Sequence, residues 1–211
     1  MQIEYFGHAC FRITTESGIK IVTDPYTKIG YELPKGLTAD VVTVSHGHFD
    51  HNYVEGILGD FEVVSKLEKK VFGDVSIEGI STFHDLVDGK LRGKNTVYKI
   101  TADGLTVCHL GDIGEPCNKE RAKQIGKVDV LLIPIGGNYT IDAKTAWEYV
   151  RAIAPNTVIP MHFQAFGCAI DIAPEYDFLR GVSYVTHKNS YVPNIEKGET
   201  KIVFMTRKEC L

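Results

Sequence analysis

The chain has 211 residues, of which 44% are hydrophobic and 24% charged, as expected for a globular protein with a substantial core. Its net charge is −4 and its pI is about 6.1, so no excess of positive charge attracts nucleic acid or an anionic membrane. The composition therefore argues against a membrane partner, makes a nucleic-acid partner less favoured without excluding it, and leaves open whether the chain forms a homo-oligomer.

Five cysteines occur without a C-x-x-C pair: Cys10, Cys108, Cys117, Cys168 and Cys210. Their odd number, the lack of a cleavable signal pattern and the lack of an apolar stretch of about 20 residues favour a reducing cytoplasm. Each cysteine is interpreted as a small buried or surface residue. No repeat or low-complexity tract divides the chain, so we expect one domain over residues 1–211.

Short strands dominate the first half of the chain. Apolar and β-branched runs predict strands at 3–6, 10–14, 19–23, 41–44, 61–65 and 75–83. A surface loop is expected at 26–40, where glycine, proline and charge accumulate, and a short helix at 53–58, ended by Gly59. Asp24 precedes a proline at the end of the third strand, so its carboxylate is expected in a loop.

Strands and helices alternate in the second half. Residues 95–101 and 105–109 predict a hairpin joined at Asp103-Gly104. Helices are expected at 118–127, 143–154 and 174–180, and strands at 128–135, 157–161, 182–186 and 201–205. Asp142 is expected to cap the second helix. These elements predict two sheets packed face to face with helices outside.

The densest chemical signal is the segment Ser45-His46-Gly47-His48-Phe49-Asp50-His51, directly after the apolar run at 41–44. His46 and His48 are two residues apart, so in extended backbone both imidazoles point the same way and can share one cation. Asp50 and His51 follow the turn and face elsewhere, which indicates a second metal ion. Imidazole nitrogen and carboxylate oxygen suit zinc, with manganese or iron(II) as alternatives.

Other polar residues also follow predicted strands. His84 comes after the strand at 75–83, Asp112 lies in the turn His109-Leu110-Gly111-Asp112, and His162 follows the strand at 157–161. Glycines beside Asp112 allow a tight turn that presents its carboxylate inward. Asp24 either orients a metal-bound imidazole or simply forms a turn, and His8 in the first loop is equally ambiguous.

Together these residues resemble the metallo-β-lactamase superfamily, whose H-x-H-x-D-H motif is met in full by residues 46–51. Asp24, His84, Asp112 and His162 match the other motif positions in the expected order. Within the superfamily the chain is similar to the branch that contains L-ascorbate-6-phosphate lactonase. The supporting segments are Gly7-His8-Ala9, His84-Asp85, Arg92-Gly93-Lys94-Asn95-Thr96, His109 to Asp112, Pro134 to Gly137 and Pro160-Met161-His162.

This resemblance implies an α/β fold, a four-layer αββα sandwich with the site at the mouth between the sheets. It implies one metal ion held by His46, His48 and His84, a second held by Asp50, His51 and His162, and Asp112 between them. His109 competes with His84 for the first ion. We prefer His84, because the third histidine of the superfamily stands well upstream of the bridging aspartate. His109 would then either lie beside the ligands or the substrate, or have only a structural role.

Two divalent cations about 3.5–4 Å apart can share a water and hold it as a nucleophilic hydroxide. Asp50 or Asp112 could take the remaining proton, and Asp24 could orient an imidazole. Arg92, with Lys94, could bind one phosphate group, although a surface role is equally compatible with that turn. Asn95 and His8 complete the residues expected around the metals or the substrate.

We therefore expect a cytoplasmic metal-dependent hydrolase that uses a metal-bridged hydroxide on a small-molecule ester, lactone or phosphate ester. One alternative is a phosphodiesterase or ribonuclease of the same superfamily. Another, from a different class, is a non-hydrolytic metal-binding or redox di-iron protein. Redox relatives usually place glutamate where this chain has His48, which favours the hydrolase.

Overall fold

Two mixed β-sheets form the centre of the computed structural model, which describes residues 1–183, 185–194 and 198–208. In that part of the chain, the first sheet has six strands: β1 (Gln2–Gly7), β2 (Cys10–Thr14), β3 (Lys20–Thr23), β4 (Val41–Thr43), β5 (Glu62–Val64) and β13 (Ser190–Tyr191). The second has eight: β6 (Lys69–Phe72), β7 (Val75–Phe83), β8 (Lys94–Ala102), β9 (Leu105–His109), β10 (Val130–Pro134), β11 (Thr157–Met161), β12 (Val185–Lys188) and β14 (Lys201–Met205).

Each sheet joins an antiparallel part to a parallel part. The six-stranded sheet has the order β13-β1-β2-β3-β4-β5, antiparallel up to β3 and parallel from β3 to β5. The eight-stranded sheet has the order β12-β14-β11-β10-β9-β8-β7-β6, parallel up to β9 and antiparallel beyond. The carboxyl ends of β4, β9 and β11 can therefore each carry a loop to an edge of the sandwich.

Alternation along the strands of the six-stranded sheet separates two cores. Phe11, Ile13 and Ile21 belong to the main core, which also holds the buried residues of the eight-stranded sheet. Their neighbours Cys10 and Val22 belong to a second core on the opposite face. Because side chains alternate with a period of two, both faces of this sheet are buried.

Helices pack beside the eight-stranded sheet and are few among the described residues: α1 (Lys119–Ile125), α2 (Ala143–Ile153) and α3 (Tyr176–Leu179). The predicted cap of α2 is confirmed, since Asp142 accepts a hydrogen bond of 2.8 Å from the Thr145 backbone N–H. The Trp147 ring of α2 stacks on Phe178 of α3 with centroids 4.8 Å apart. The predicted α/β sandwich fold is confirmed by the two mixed sheets and these helices.

A loop takes the place of a helical layer over the six-stranded sheet. The second core contains Tyr26, Ile29, Leu33 and Leu37 from the segment predicted to be a surface loop. The prediction of a helix at 53–58 is wrong in extent, because only one 3₁₀ turn forms, at Val54–Gly56. Irregular backbone is stable here because its apolar side chains cover the sheet face.

Most predicted strands are confirmed within one or two residues, with three differences. β6 was not predicted, because its lysines mask a hairpin with β7 around Gly73. β13, which is only two residues long, was not predicted either. Of the strand expected at 182–186, Val185 and Thr186 lie in β12, Val182 instead donates its N–H to Leu179 O, and residue 184 lies outside the described ranges.

Four cysteines in the described ranges, Cys10, Cys108, Cys117 and Cys168, are free thiols, and Cys210 lies outside those ranges. The longest helix in the described part of the chain, α2, has 11 residues, and none there is long and apolar enough to cross a membrane.

Candidate metal centre

The side chains predicted to bind metal, and His8, which was predicted beside the ligands or the substrate, come from loops that follow strands of both sheets. His8 lies between β1 and β2, and residues 45–51 follow β4, all in the six-stranded sheet. His84 follows β7, Asp112 follows β9 and His162 follows β11, all in the eight-stranded sheet. The sites built from these residues therefore depend on the packing of one sheet against the other.

The segment 45–51 forms bends and a turn. The expectation that His46 and His48 lie in extended backbone is therefore wrong. The strand ends early because the carboxylate of Asp24 accepts the Ser45 N–H at 2.8 Å, and the His51 N–H then donates to His48 O at 3.0 Å. The rings of His46 and His48 still lie together, with centroids 4.6 Å apart.

His46, His48 and His84 form the first group, called here the outer cluster. One nitrogen of each imidazole lies within 4.8 Å of those of the other two. His84 is buried, whereas His48 is exposed to solvent. The structure thus brings together the three residues expected around one metal ion.

His8, Asp50, His51 and His162 form the second group, called here the inner cluster, with their ligand atoms within 4.8 Å of one another. Asp50 Oδ2 lies 3.1 Å from His8 Nε2 and 3.6 Å from His51 Nε2. Sequence reasoning placed three of these residues on one ion but left His8 ambiguous. Its position depends on how the first loop packs against β11, where the His162 N–H donates to His8 O at 2.8 Å.

Asp112 lies between the two clusters. Its Oδ2 atom is 3.8 Å from His46 Nε2, 3.1 Å from His51 Nε2, 3.3 Å from His84 Nε2 and 3.2 Å from His162 Nε2. Burial would raise the pKa of Asp112, but the imidazoles of His162 and His51 hold it well below its ordinary value. Asp112 is therefore a carboxylate that faces imidazoles from both clusters.

Asp24 organises the imidazoles from behind. Its Oδ2 accepts hydrogen bonds from His51 Nδ1 at 2.9 Å and from Ser45 Oγ at 2.5 Å. Because Ser45 Oγ donates to Asp24, it is free to accept from His46 Nδ1, 2.9 Å away. With both Nδ1 atoms protonated, the Nε2 lone pairs of His46 and His51 point to the centre. Ser45 was not predicted as a site residue, although it directly precedes the first histidine.

Asn95 fixes the turn that carries Asp112. Its Oδ1 accepts the Asp112 N–H at 2.9 Å, and its Nδ2 donates to Leu110 O at 2.9 Å. Gly111 in this turn has φ of 54°, and a Cβ there would lie 2.3 Å from Asn95 Oδ1. Asn95 is thus buried behind Asp112 and positions its backbone.

His109 lies apart from both clusters. Its Nε2 donates to Ala9 O at 2.8 Å, and its Nδ1 accepts the Gly111 N–H at 3.1 Å. Both ring nitrogens are thereby used, and burial lowers the pKa of this imidazole. The third place in the outer cluster goes to His84, and His109 ties the first loop to the Asp112 turn.

Backbone strain is concentrated at three of these residues. His8, Asp24 and His162 have φ angles of 55°, 38° and 50°, in the left-handed region that non-glycine residues rarely adopt. Such conformations cost about 1–3 kcal/mol each and persist where the surrounding structure holds them. His8 and His162 thereby present ring nitrogens to the inner cluster, and Asp24 presents its carboxylate to the His51 ring from behind.

Several buried polar atoms around Asp112 are placed where a metal ion could bind them. In the described part of the chain, the buried atoms without a hydrogen-bond partner include His46 Nε2, His51 Nε2, His162 Nε2 and Asp112 Oδ1. Unpaired buried polar atoms are costly, so a group of them implies an unseen partner. Burial lowers the pKa of His46 to about 3 and that of His8 to about 4, so both imidazoles are neutral, as ligands must be.

His51 differs from these neutral imidazoles. Burial alone would lower its pKa, but the carboxylates of Asp112 and Asp24 raise it well above its ordinary value. An imidazole held between two buried carboxylates favours a positive charge, which a cation at Nε2 can supply in place of a proton. The donor set of nitrogen and carboxylate oxygen suits zinc, manganese or iron(II).

Comparisons with known proteins agree with this geometry. The family described as "Beta-lactamase superfamily domain" matches residues 2–162. A UPF0173 metal-dependent hydrolase of Pelotomaculum thermopropionicum is 32% identical over 198 residues, covering 79% of this chain and 86% of that protein. One from Carboxydothermus hydrogenoformans is 29% identical over 195 residues, with the same coverage of 79% and 86%.

A solved structure from Thermotoga maritima, of a candidate zinc-dependent hydrolase of the metallo-β-lactamase superfamily, shares 36% identity and a TM-score of 0.81, covering 97% of both chains. The chain therefore belongs to the metallo-β-lactamase superfamily and, within it, to the UPF0173 metal-dependent hydrolases. The superfamily predicted from residues 46–51 is confirmed, and the narrower likeness to L-ascorbate-6-phosphate lactonase stays a prediction.

Proposed function

We propose that this chain hydrolyses a small-molecule ester, lactone or phosphate ester with two divalent metal ions. The observation that carries the proposal is the position of Asp112, whose Oδ2 lies within 3.8 Å of imidazole nitrogens from both clusters. A buried carboxylate that faces both clusters would help to hold two neighbouring cations, because it carries negative charge and two acceptor oxygens.

The ligand sets follow from the clusters. His46, His48 and His84 would hold one ion, Asp50, His51 and His162 the other, with Asp112 shared. His8 would support Asp50, since its Nε2 lies 3.1 Å from Asp50 Oδ2. Bound zinc, manganese or iron(II) would supply the positive charge that makes water acidic and polarises a carbonyl or phosphoryl oxygen.

The residues of the chain divide the remaining work. Asp50 is the better of the two carboxylates to accept a proton from the attacking water, because its side chain is 13% exposed and that of Asp112 only 2%. Imidazoles of both clusters surround Asp112, so its role would be to stay ionised and balance the positive charge of the bound cations. Asp24 and Ser45 keep His51 and His46 in the tautomers that present Nε2.

The preferred substrate is a lactone or phosphate ester of a small metabolite, as in the lactonase-like branch. A phosphodiesterase or ribonuclease is the alternative among the hydrolases, and a non-hydrolytic metal-binding or redox di-iron protein on the same scaffold is the alternative from another class. The same scaffold and ligand types serve many hydrolases, so the substrate has to be found by assay.

The test combines metal content with hydrolysis. Elemental analysis of protein reconstituted with zinc or manganese should give about two metal ions per chain. Hydrolysis of a lactone and of a bis-aryl phosphodiester should depend on that metal. His48→Ala and Asp112→Ala should lower metal content and activity together.

His187→Ala is the matched control, because His187 is exposed on β12 and away from both clusters. It should change neither metal content nor activity. Less than half a metal ion per chain after reconstitution would contradict the proposal. Full metal loading with oxygen-dependent chemistry and no hydrolysis would support the di-iron alternative instead.

A further inference from the structure

A cleft of about 280 Å³ lies beside the outer cluster, and His84 is the member of that cluster that lines it. The rest of the wall comes from the loop after β7, the turn after Asp112 and the loop that leads into α2. We call this space the Arg92–Tyr139 cleft, after two of the residues that line it. A larger cleft of about 720 Å³ is lined by Trp147 and Arg151, and its lining contains none of the clustered ligands.

The guanidinium of Arg92 lies over the face of Tyr139, with Cζ 5.3 Å from the ring centroid. Within the described residues, no ion pair and no side-chain hydrogen bond engages this guanidinium. An arginine held by an aromatic face keeps its five N–H groups available at the edge of the plane. Arg92 is therefore a positioned cation with unused donors in the wall that also contains His84.

Two carboxylates share this cleft, and backbone donors engage both. Asp85 accepts hydrogen bonds from the N–H groups of Val87, Gly89, Leu91 and Arg92, at 2.8 to 2.9 Å. Asp142 caps α2 through the Thr145 N–H. Neither carboxylate forms an ion pair with the guanidinium, so Arg92 keeps its charge for a ligand.

The backbone of the Arg92 loop is fixed before any ligand binds. The four hydrogen bonds to Asp85 hold residues 87 to 92, and the Gly93 N–H donates to Gly89 O at 2.9 Å. A side chain on a rigid loop loses less entropy when it binds, so a single charged group there contributes more to specificity.

We infer that the Arg92–Tyr139 cleft binds an anionic substituent of the substrate, a carboxylate or a phosphate, while the bond to be cleaved lies at the metal ions. The inference rests on the proposed function and adds the substrate class to it. Arg92 contacts the substrate as a specificity-determining residue, and Tyr139 positions its guanidinium. Bidentate hydrogen bonds from arginine to a carboxylate or phosphate give both affinity and orientation.

The experiment compares three versions of one lactone: neutral, carboxylate-bearing and phosphate-bearing. In the metal-loaded wild type, the anionic versions should have the lower KM. Arg92→Ala should raise the KM of the preferred anionic version by about 10-fold or more, with little change in kcat and none for the neutral lactone. Arg92→Lys should restore only part of the effect, because it lacks the planar fork.

Arg151→Ala, which removes an exposed arginine from the last turn of α2, is the control and should change no KM. Whichever anionic version depends more on Arg92 identifies the charge that the cleft accepts. Equal KM values for the three lactones in the wild type, or a preference that survives Arg92→Ala, would overturn the inference while leaving the hydrolase intact.

A binding measurement separates this inference from the proposed function. Calorimetric titration of the metal-loaded protein with inorganic phosphate should show an affinity that falls about 10-fold or more in Arg92→Ala. If the wild type hydrolyses neither the lactones nor the bis-aryl phosphodiester but phosphate binding depends on Arg92, the anion site stands and the proposed function fails. Phosphate binding that is unchanged in Arg92→Ala would mean that the metal ions alone bind it, which overturns the inference.

Discussion

The inner and outer clusters contain similar ligand types but differ in how the protein holds them. In the inner cluster, Asp24 orients His51 and His8 contacts Asp50, and all three histidines are buried. In the outer cluster, Ser45 contacts His46, but His48 is exposed and no hydrogen bond within the described residues orients its ring. Hydrogen bonds thus hold more of the inner cluster before metal binds, whereas the outer cluster is completed by an exposed imidazole that no such bond orients.

This difference predicts two metal ions of unequal affinity. Ligands that are already oriented lose less conformational entropy on binding, and partners behind the ligands change metal affinity substantially.

Asp112→Asn should have the largest effect, because this carboxylate faces both clusters. We expect kcat/KM to fall by about 10³-fold or more, the scale seen when one electrostatic group of an active site is removed. Elemental analysis should show loss of metal from both positions. A variant that keeps both ions and loses less than 10-fold would show that Asp112 is not shared.

Asp24→Asn should weaken the inner cluster most. The amide that replaces the carboxylate cannot accept from His51, Ser45 Oγ and Ser45 N–H together, so one buried donor loses its partner. Metal affinity measured by competition with a chelator should fall by about 10- to 100-fold. Asp60→Asn, at an exposed position, is the matched control and should leave the affinity unchanged.

Stepwise chelation tests the comparison directly. One metal ion should leave at a chelator concentration about 10-fold or more below that needed for the other. His48→Ala should remove the weakly held ion and keep the tight one, and His51→Ala should do the reverse. Simultaneous loss of both ions at one concentration, in the wild type and in both variants, would contradict unequal clusters.

Ser45→Ala should have the smallest effect, and the metal affinity that it lowers should be that of the outer cluster. It removes the acceptor of His46 Nδ1 while the bond from His51 Nδ1 to Asp24 remains. One hydrogen bond contributes about 0.5–1.5 kcal/mol, so the affinity for the weakly held ion should drop about 2- to 10-fold. Chelator competition measures this, and an equal loss at the tight ion would place the role of Ser45 in the inner cluster.

Much of this architecture could be predicted from the sequence because the signals are local. Alternation and β-branched runs locate the strands, and Asp142 marks the start of α2. The histidines and aspartates that meet at the centre each follow a predicted strand. Their chain order carried the resemblance to the superfamily, which the match over residues 2–162 confirms.

The features that sequence reasoning missed depend on contacts between distant segments. His8 joins Asp50 across 42 residues, and Arg92 meets Tyr139 across a larger gap, so no local pattern reports either pair. The loop at 26–40 looked polar, although its irregularly spaced apolar residues bury one face of a sheet. The assignments of individual ligands, and of one domain over residues 1–211, stay predictions.

Each cluster takes members from both sheets. His162 of the inner cluster and His84 of the outer cluster belong to the eight-stranded sheet, and the other members to the six-stranded one. A cation in either cluster would therefore cross-link the sheets, and its binding free energy would add to the stability of their docked arrangement. Removing metal should then weaken the interface between the sheets as well as catalysis, and the chain should resist heat and proteases best when both clusters are filled.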